Sequence, residues 1–248
     1  MRMTREKKAA QLTYLPVVFP VNCYLVEEED GLTLVDAALP NNVSAIMKAA
    51  EQLGKPITRI ALTHAHGDHV GALDGLKKLL PEAKVYISER DAKLLRGDVS
   101  LMDGEGDRPI RGGIPKGIQT TPDVLLAEND RVGSLIAIAA PGHTPGSMAF
   151  WDERTGMLLA GDAFHTRGGM TVTGHMKFMF PFPAFATWNP AASLESARKL
   201  ARLRPAVLAT GHGNLWKDPL SAMEKAIRDA ERFFNKKGVI SHVTEGRS

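Results

Sequence analysis

Cysteine is almost missing from this 248-residue chain: Cys23 stands alone, so no disulfide can form within it. Its neighbours Val21, Tyr24 and Leu25 mark it as a small buried thiol rather than a nucleophile. No run of about 18 apolar residues occurs, which excludes a membrane-spanning helix. The charged stretch Met1–Gln11 has no apolar core of signal-peptide length, so the cytoplasm is the expected location. Positive charge is in excess by only +3 and is spread along the chain, so nucleic acid is not an expected partner. Hydrophobic residues reach 44%, enough for a sizeable core, and no break in composition divides the chain. A single domain over residues 1–248 is therefore expected.

What is present is an alternation of short apolar runs and helical periodicity. Tyr14–Val18, Asn22–Glu27 and Leu32–Asp36 read as strands, with Glu29-Asp30-Gly31 turning between the last two. Asn41–Leu53 places Val43, Ile46, Met47, Ala50 and Leu53 at helical spacing and stops at Gly54. Ile57–Thr63 is an apolar strand that ends directly at His64. Gly71–Leu80 and Glu89–Leu95 read as helices around a strand at Lys84–Ser88. Gly97–Pro122 carries five glycines after Gly97 and no periodicity, the mark of a functional or mobile segment. Strands return at Ser134–Ala140, Ser147–Asp152 and Met157–Gly161, the last two joined through Arg154-Thr155-Gly156. Helices at Ala191–Leu203 and Pro219–Asn235 flank a strand at Ala206–Thr210.

The chemistry concentrates in His64-Ala65-His66-Gly67-Asp68-His69, which offers four donor side chains within six residues. His64 and His66 are one residue apart at a strand end and can point the same way. Asp68 and His69 then approach from the following turn, where Gly67 removes side-chain obstruction. Imidazole and carboxylate together suit zinc, and also iron, manganese or cobalt. His143, Asp162 and His212 each sit just beyond the end of an expected strand, where loops held by a sheet normally carry function.

Thr63–His69 resembles the HxHxDH signature of the metallo-β-lactamase superfamily, and four further motifs follow its order. They are Asp36 after Leu32–Val35, Pro141–Ser147 around His143, Leu159–Asp162, and Gly211-His212-Gly213. The resemblance spans residues 14 to 215 and implies an α/β fold, a four-layer αββα sandwich with a metal site along one sheet edge. It further implies two divalent metal ions, zinc foremost with iron or manganese also suited. His64, His66 and His143 would hold the first, Asp68, His69 and His212 the second, and Asp162 would bridge them. A hydroxide shared by the ions would attack a carbonyl. Asp36 is expected to orient a loop rather than to ligate.

The resemblance points to the lactonase and glyoxalase II-like branch rather than to true β-lactamases, which generally lack a bridging carboxylate such as Asp162. The expected substrate is a small ester, lactone or thioester with an apolar acyl portion, and the alternative is a mononuclear-iron sulfur dioxygenase. Asp68 and His165 are the catalytic candidates. Lactonases of this superfamily often place a tyrosine three residues after the bridging aspartate, where this chain has His165. An imidazole there is suited to donate a hydrogen bond or proton to the substrate. Gly168–Trp188, rich in Met and Phe, is expected to wall the substrate, with Gly97–Pro122 as the opposite lip.

Overall fold

A chain that reverses at short turns lays its first strands side by side. In the computed structural model, which describes residues 1–239, strands β1 (Arg2–Glu6), β2 (Ala9–Tyr14), β3 (Val21–Glu27) and β4 (Leu32–Val35) pair antiparallel in chain order. Strands β5 (Ile57–Ala61), β6 (Lys84–Ser88) and β7 (Val124–Leu126) extend the same sheet in parallel. Parallel neighbours need crossovers. Helices α1 (Val43–Leu53), α2 (Gly67–Val70), α3 (Leu73–Leu79) and α4 (Glu89–Leu95) lie in them. Helix α1 stops where Gly54 adopts a left-handed φ of 70°.

The second sheet begins with β8 (Arg131–Val132), β9 (Leu135–Ala139), β10 (Met148–Asp152) and β11 (Met157–Leu159), all antiparallel. A two-stranded ribbon, β12 (Phe164–His165) with β13 (Thr171–Val172), leads to α5 (Phe182–Ala186) and α6 (Pro190–Ala201). Then β14 (Val207–Ala209) pairs parallel with β11, and β15 (Trp216–Lys217) forms the edge. Helix α7 (Leu220–Lys236) buries Met223, Ala226, Ile227, Ala230 and Phe234 against this sheet.

Period-two alternation distributes the strands' apolar side chains between layers. Cys23 and Leu25 of β3 face Ile46 of α1 and Leu73 and Leu76 of α3, whereas Tyr24 and Val26 face the other sheet. Met148 and Phe150 of β10 meet them in the central layer, and Ala149 joins the layer under α6 and α7. Three apolar layers thus separate helices, sheet, sheet and helices, which is the expected αββα sandwich. Cys23 is fully buried, and burial pushes its thiol pKa up.

Two local expectations are corrected. Tyr14–Val18 is not a strand: Tyr14 closes β2, and the chain turns from Leu15, whose φ is 47°, to Phe19. Proline at position 16 removes the N–H that a ladder would need. β1 and β2 lie earlier, and β1 escapes pattern reading because an edge strand exposed on both faces shows no apolar alternation. Helix α5 forms among prolines that discourage a regular helix; Pro183 sits in its first turn, where no N–H is required. Gly97–Pro122 is free of helix and strand, as expected. No helix among the described residues is long and apolar enough to cross a membrane.

Candidate metal centre

The motif residues converge where the two sheets meet. His64 and His66 follow β5, Asp68 and His69 lie in α2, His143 lies between β9 and β10, and Asp162 and His212 follow β11 and β14. His66 Nδ1 lies 3.2 Å from His64 Nε2 and 3.0 Å from His143 Nε2. His212 Nε2 is 3.5 Å from Asp68 Oδ2 and 3.1 Å from Asp162 Oδ2, and His69 Nε2 is 3.5 Å from Asp162 Oδ1. Donors on one tetrahedral ion at about 2.0–2.1 Å stand about 3.3 Å from one another. The seven side chains fall into three groups whose ligand atoms lie within 4.8 Å of one another, namely His64–His66–His143, His64–His69–Asp162 and Asp68–His69–His212.

Each imidazole is fastened by one nitrogen, which turns the other inward. His66 Nε2–H donates to the carbonyl of Arg111 at 2.9 Å, and His212 Nδ1–H to that of Pro20 at 2.7 Å. His69 Nδ1–H donates to Asp36 Oδ2 at 2.8 Å. The Thr63 hydroxyl donates to Asp36, so His64 Nδ1–H donates to Thr63 Oγ1 at 3.0 Å. His143 Nδ1 rests on Thr173 Oγ1 at 3.2 Å. Asp36, itself at φ 62°, thus has the orienting place expected of it.

Burial first, and then neighbouring histidines, push the pKa of His64 well below its ordinary value. Burial lowers His143 likewise, so both are neutral donors. His69 behaves oppositely: burial alone would lower it, but Asp162, Asp36 and Asp68 raise it to about 10. Burial would raise the carboxyl of Asp162, yet His212 and His69 outweigh it and hold it well below the usual carboxylate range. No Lys or Arg pairs with Asp36, Asp68 or Asp162 among the described residues. A proton on His69 and a divalent cation are thus competing ways to neutralise the same carboxylates. His69 Nε2 and Asp162 Oδ1 are buried without hydrogen-bond partners, which marks the place where a cation fits.

Beside this cluster opens a cleft of about 440 Å³. His66, Asp68, His143, Asp162 and His212 form its floor, and Phe19, Phe182 and Phe185 its apolar wall. Gly112 and Gly113 of the irregular segment form the lip anticipated for it. A Cβ on Gly112 would stand 2.3 Å from His66 Nε2, so only glycine permits this approach.

The expected wall over Gly168–Trp188 divides. Phe182 and Phe185 line the cleft, while Met170, Phe180 and Trp188 are buried in the fold, and Phe178 points to solvent. Pattern reading missed Phe19 and the fastening carbonyls of Pro20 and Arg111; a backbone carbonyl leaves no trace in side-chain identity. His165 is 1% exposed beneath Phe180, is not among the cleft-lining residues, and makes no hydrogen bond through either ring nitrogen. Burial lowers its pKa to about 4.

Comparison with known proteins agrees with this geometry. A protein of Bacillus subtilis (strain 168), YobT, itself uncharacterized, is 56% identical over 94% of this chain and its own full length. The probable metallo-hydrolase YflN of the same organism is 29% identical over 77% of this chain and 80% of its own. The crystal structure of TTHA1623 in a di-iron-bound form superposes with a TM-score of 0.63 at 28% identity, covering 86% of this chain and 96% of that one. Divalent-metal binding and hydrolysis in general terms are what the fold and the His/Asp cluster together support. The model of the metallo-beta-lactamase superfamily matches residues 16–212, well over half of the sequence, and the chain belongs to that superfamily.

Proposed function

We propose that this protein is a binuclear metal-dependent hydrolase acting on an ester, lactone or thioester whose acyl portion is apolar. The observation that carries the reading is the set of five histidines, each fastened outward and turned inward on Asp162 or its neighbours, three of which (His66, His143 and His212) reach the floor of a phenylalanine-walled cleft. His64, His66 and His143 would hold one ion, Asp68, His69 and His212 the other, and Asp162 would serve both. Zinc suits this mixture of imidazole and carboxylate. The di-iron neighbour supports iron as the alternative. When bound, the ions supply activated water at neutral pH and polarise the scissile carbonyl.

The chain's own residues do the remaining work. Phe19, Phe182 and Phe185 take the apolar acyl part and exclude water beside the floor. Asp68, the most open of the carboxylates with 23% of its side chain exposed, is placed to receive and return a proton at the cleft floor. The proton role anticipated for His165 passes to Asp68, because His165 is neutral and shielded by Phe180.

Among the described residues no Lys or Arg lines the cleft, which favours uncharged substrates over the two carboxylates of a glutathione derivative. The test combines metal analysis with a panel of lactones, acyl esters, glutathione thioesters and β-lactams. Stoichiometric zinc or iron with turnover of the uncharged lactones and esters is expected. Oxygen uptake with glutathione persulfide and a single iron, without esterase turnover, would replace the reading with a dioxygenase.

A further inference from the structure

The turn carrying His64 and His66 leaves the first sheet, and the turn carrying His143 belongs to the second. One backbone bond, Met148 N–H to Thr63 O at 2.8 Å, joins the first residue of β10, just after the His143 turn, to the residue just before His64. Beyond it, the turns meet on a single carboxylate from a third element. Asp91 of α4 is fully buried, and its Oδ2 accepts the Ala65 N–H at 2.9 Å and the Thr144 hydroxyl at 2.7 Å. Its Oδ1 accepts the Gly146 N–H at 2.8 Å. Ala65 separates His64 from His66, and Thr144 follows His143.

The seat of this carboxylate is built. Ser88 caps α4 by accepting the Asp91 N–H at 3.1 Å, which fixes where the helix starts. A Cβ on Gly146 would come within 2.5 Å of Asp91 Oδ1 and Ser88 Oγ, so the turn after His143 can close on Asp91 only as glycine. No cation forms a salt bridge with Asp91 among the described residues; its neighbour Arg90 is engaged by Glu105 at 2.5 Å. A buried, uncompensated carboxylate is costly. Packing α4 on the sheet would need only an apolar side chain, so the cost is tied to what the two oxygens hold.

We propose that Asp91 is a positioning residue: it sets the distance between the His64/His66 pair and His143, and so the cation affinity of this three-imidazole group. The group of Asp68, His69 and His212 does not depend on it. The proposal rests on the reading of this cluster as a metal centre.

Asp91→Asn separates positioning from packing. Asparagine keeps the size but has one acceptor oxygen, whereas Ala65 and Gly146 present two fixed backbone N–H donors. Whichever way the amide is turned, one N–H faces an NH2 group. The experiment is zinc titration of the full-length protein against a chromophoric chelator, with melting of the chelator-treated protein alongside. One zinc equivalent is expected to weaken by about 10-fold or more in Asp91→Asn, while the other keeps its wild-type affinity. The metal-free melting temperature should stay within a few degrees of wild type. Both equivalents unchanged, or both weakened alike in a folded variant, would overturn the role. If Asp91→Asn does not fold, Thr144→Val, which deletes only the hydroxyl, must weaken the same equivalent, and unchanged affinity there would overturn it too. Failure of the wild-type protein to take up zinc or iron would overturn the metal-centre reading itself and Asp91's role with it.

Discussion

Asp36 accepts the Nδ1–H of His69 at 2.8 Å on one oxygen and the backbone N–H of Thr63 at 2.8 Å on the other. One carboxylate therefore aligns a histidine of α2 and the residue that leads into His64. Asp36→Ala should weaken zinc binding by about 10–100-fold, the usual cost of losing such an outer partner. Chelator competition measures it, and wild-type affinity in the variant would deny Asp36 this role.

Gly112 and Gly113 provide a paired control. Gly112 has φ +94°, and a Cβ there would collide with His66 Nε2, whereas one on Gly113 would meet nothing within 4 Å. Gly112→Ala should lower stability by about 1–3 kcal/mol through backbone strain. It should also break the bond from His66 to the Arg111 carbonyl. Gly113→Ala should match wild type in melting temperature and metal content. Equal behaviour of the two variants would show that the lip does not orient His66.

Phe182 and Phe185 line the cleft and are 53% and 59% exposed, so replacing them leaves the core intact. The double variant Phe182→Ala/Phe185→Ala should lose about 10-fold in kcat/KM for a long-chain acyl ester and little for an acetyl ester. Kinetics over an acyl-length series decide this. A uniform loss at all lengths would place the acyl group elsewhere.

His165 makes a prediction through its pKa. Its folded value of about 4 lies below the ordinary 6.5, so between these values the unfolded chain binds the extra proton. Its contribution is fully present above about pH 6.5 and is lost as pH falls toward 4, on the order of 3 kcal/mol in all. His165→Leu should flatten the decline in melting temperature over that window relative to wild type. Its kcat/KM between pH 6 and 8 should stay near wild type. A fall in kcat with full metal content would return His165 to the chemistry.

The order of strands and helices was legible because apolar spacing differs between the two kinds of element, as in Asn41–Leu53 and Ile57–Thr63. Where pairing alone makes a strand, as in β1, or a proline breaks one, as at Pro16, pattern reading failed. The cluster His64–His69 could be read directly, since its donors are neighbours along the chain. His143, Asp162 and His212 gained meaning only from their order after it.

By itself, then, the sequence determined the order of strands and helices and the donor-rich run His64–His69, because side-chain chemistry and periodicity are local properties. The αββα layering and the set of seven candidate ligands were legible only through the resemblance to the superfamily. Tertiary structure alone decided what surrounds them. Phe19 reaches the cleft from a turn far away in the chain, the Arg111 and Pro20 carbonyls select which histidine nitrogen faces inward, and Asp91 bridges turns from two sheets. It also placed His165 under Phe180, away from the cleft wall. Backbone carbonyls and contacts between distant segments depend on how the sheets pack, and no residue name records them.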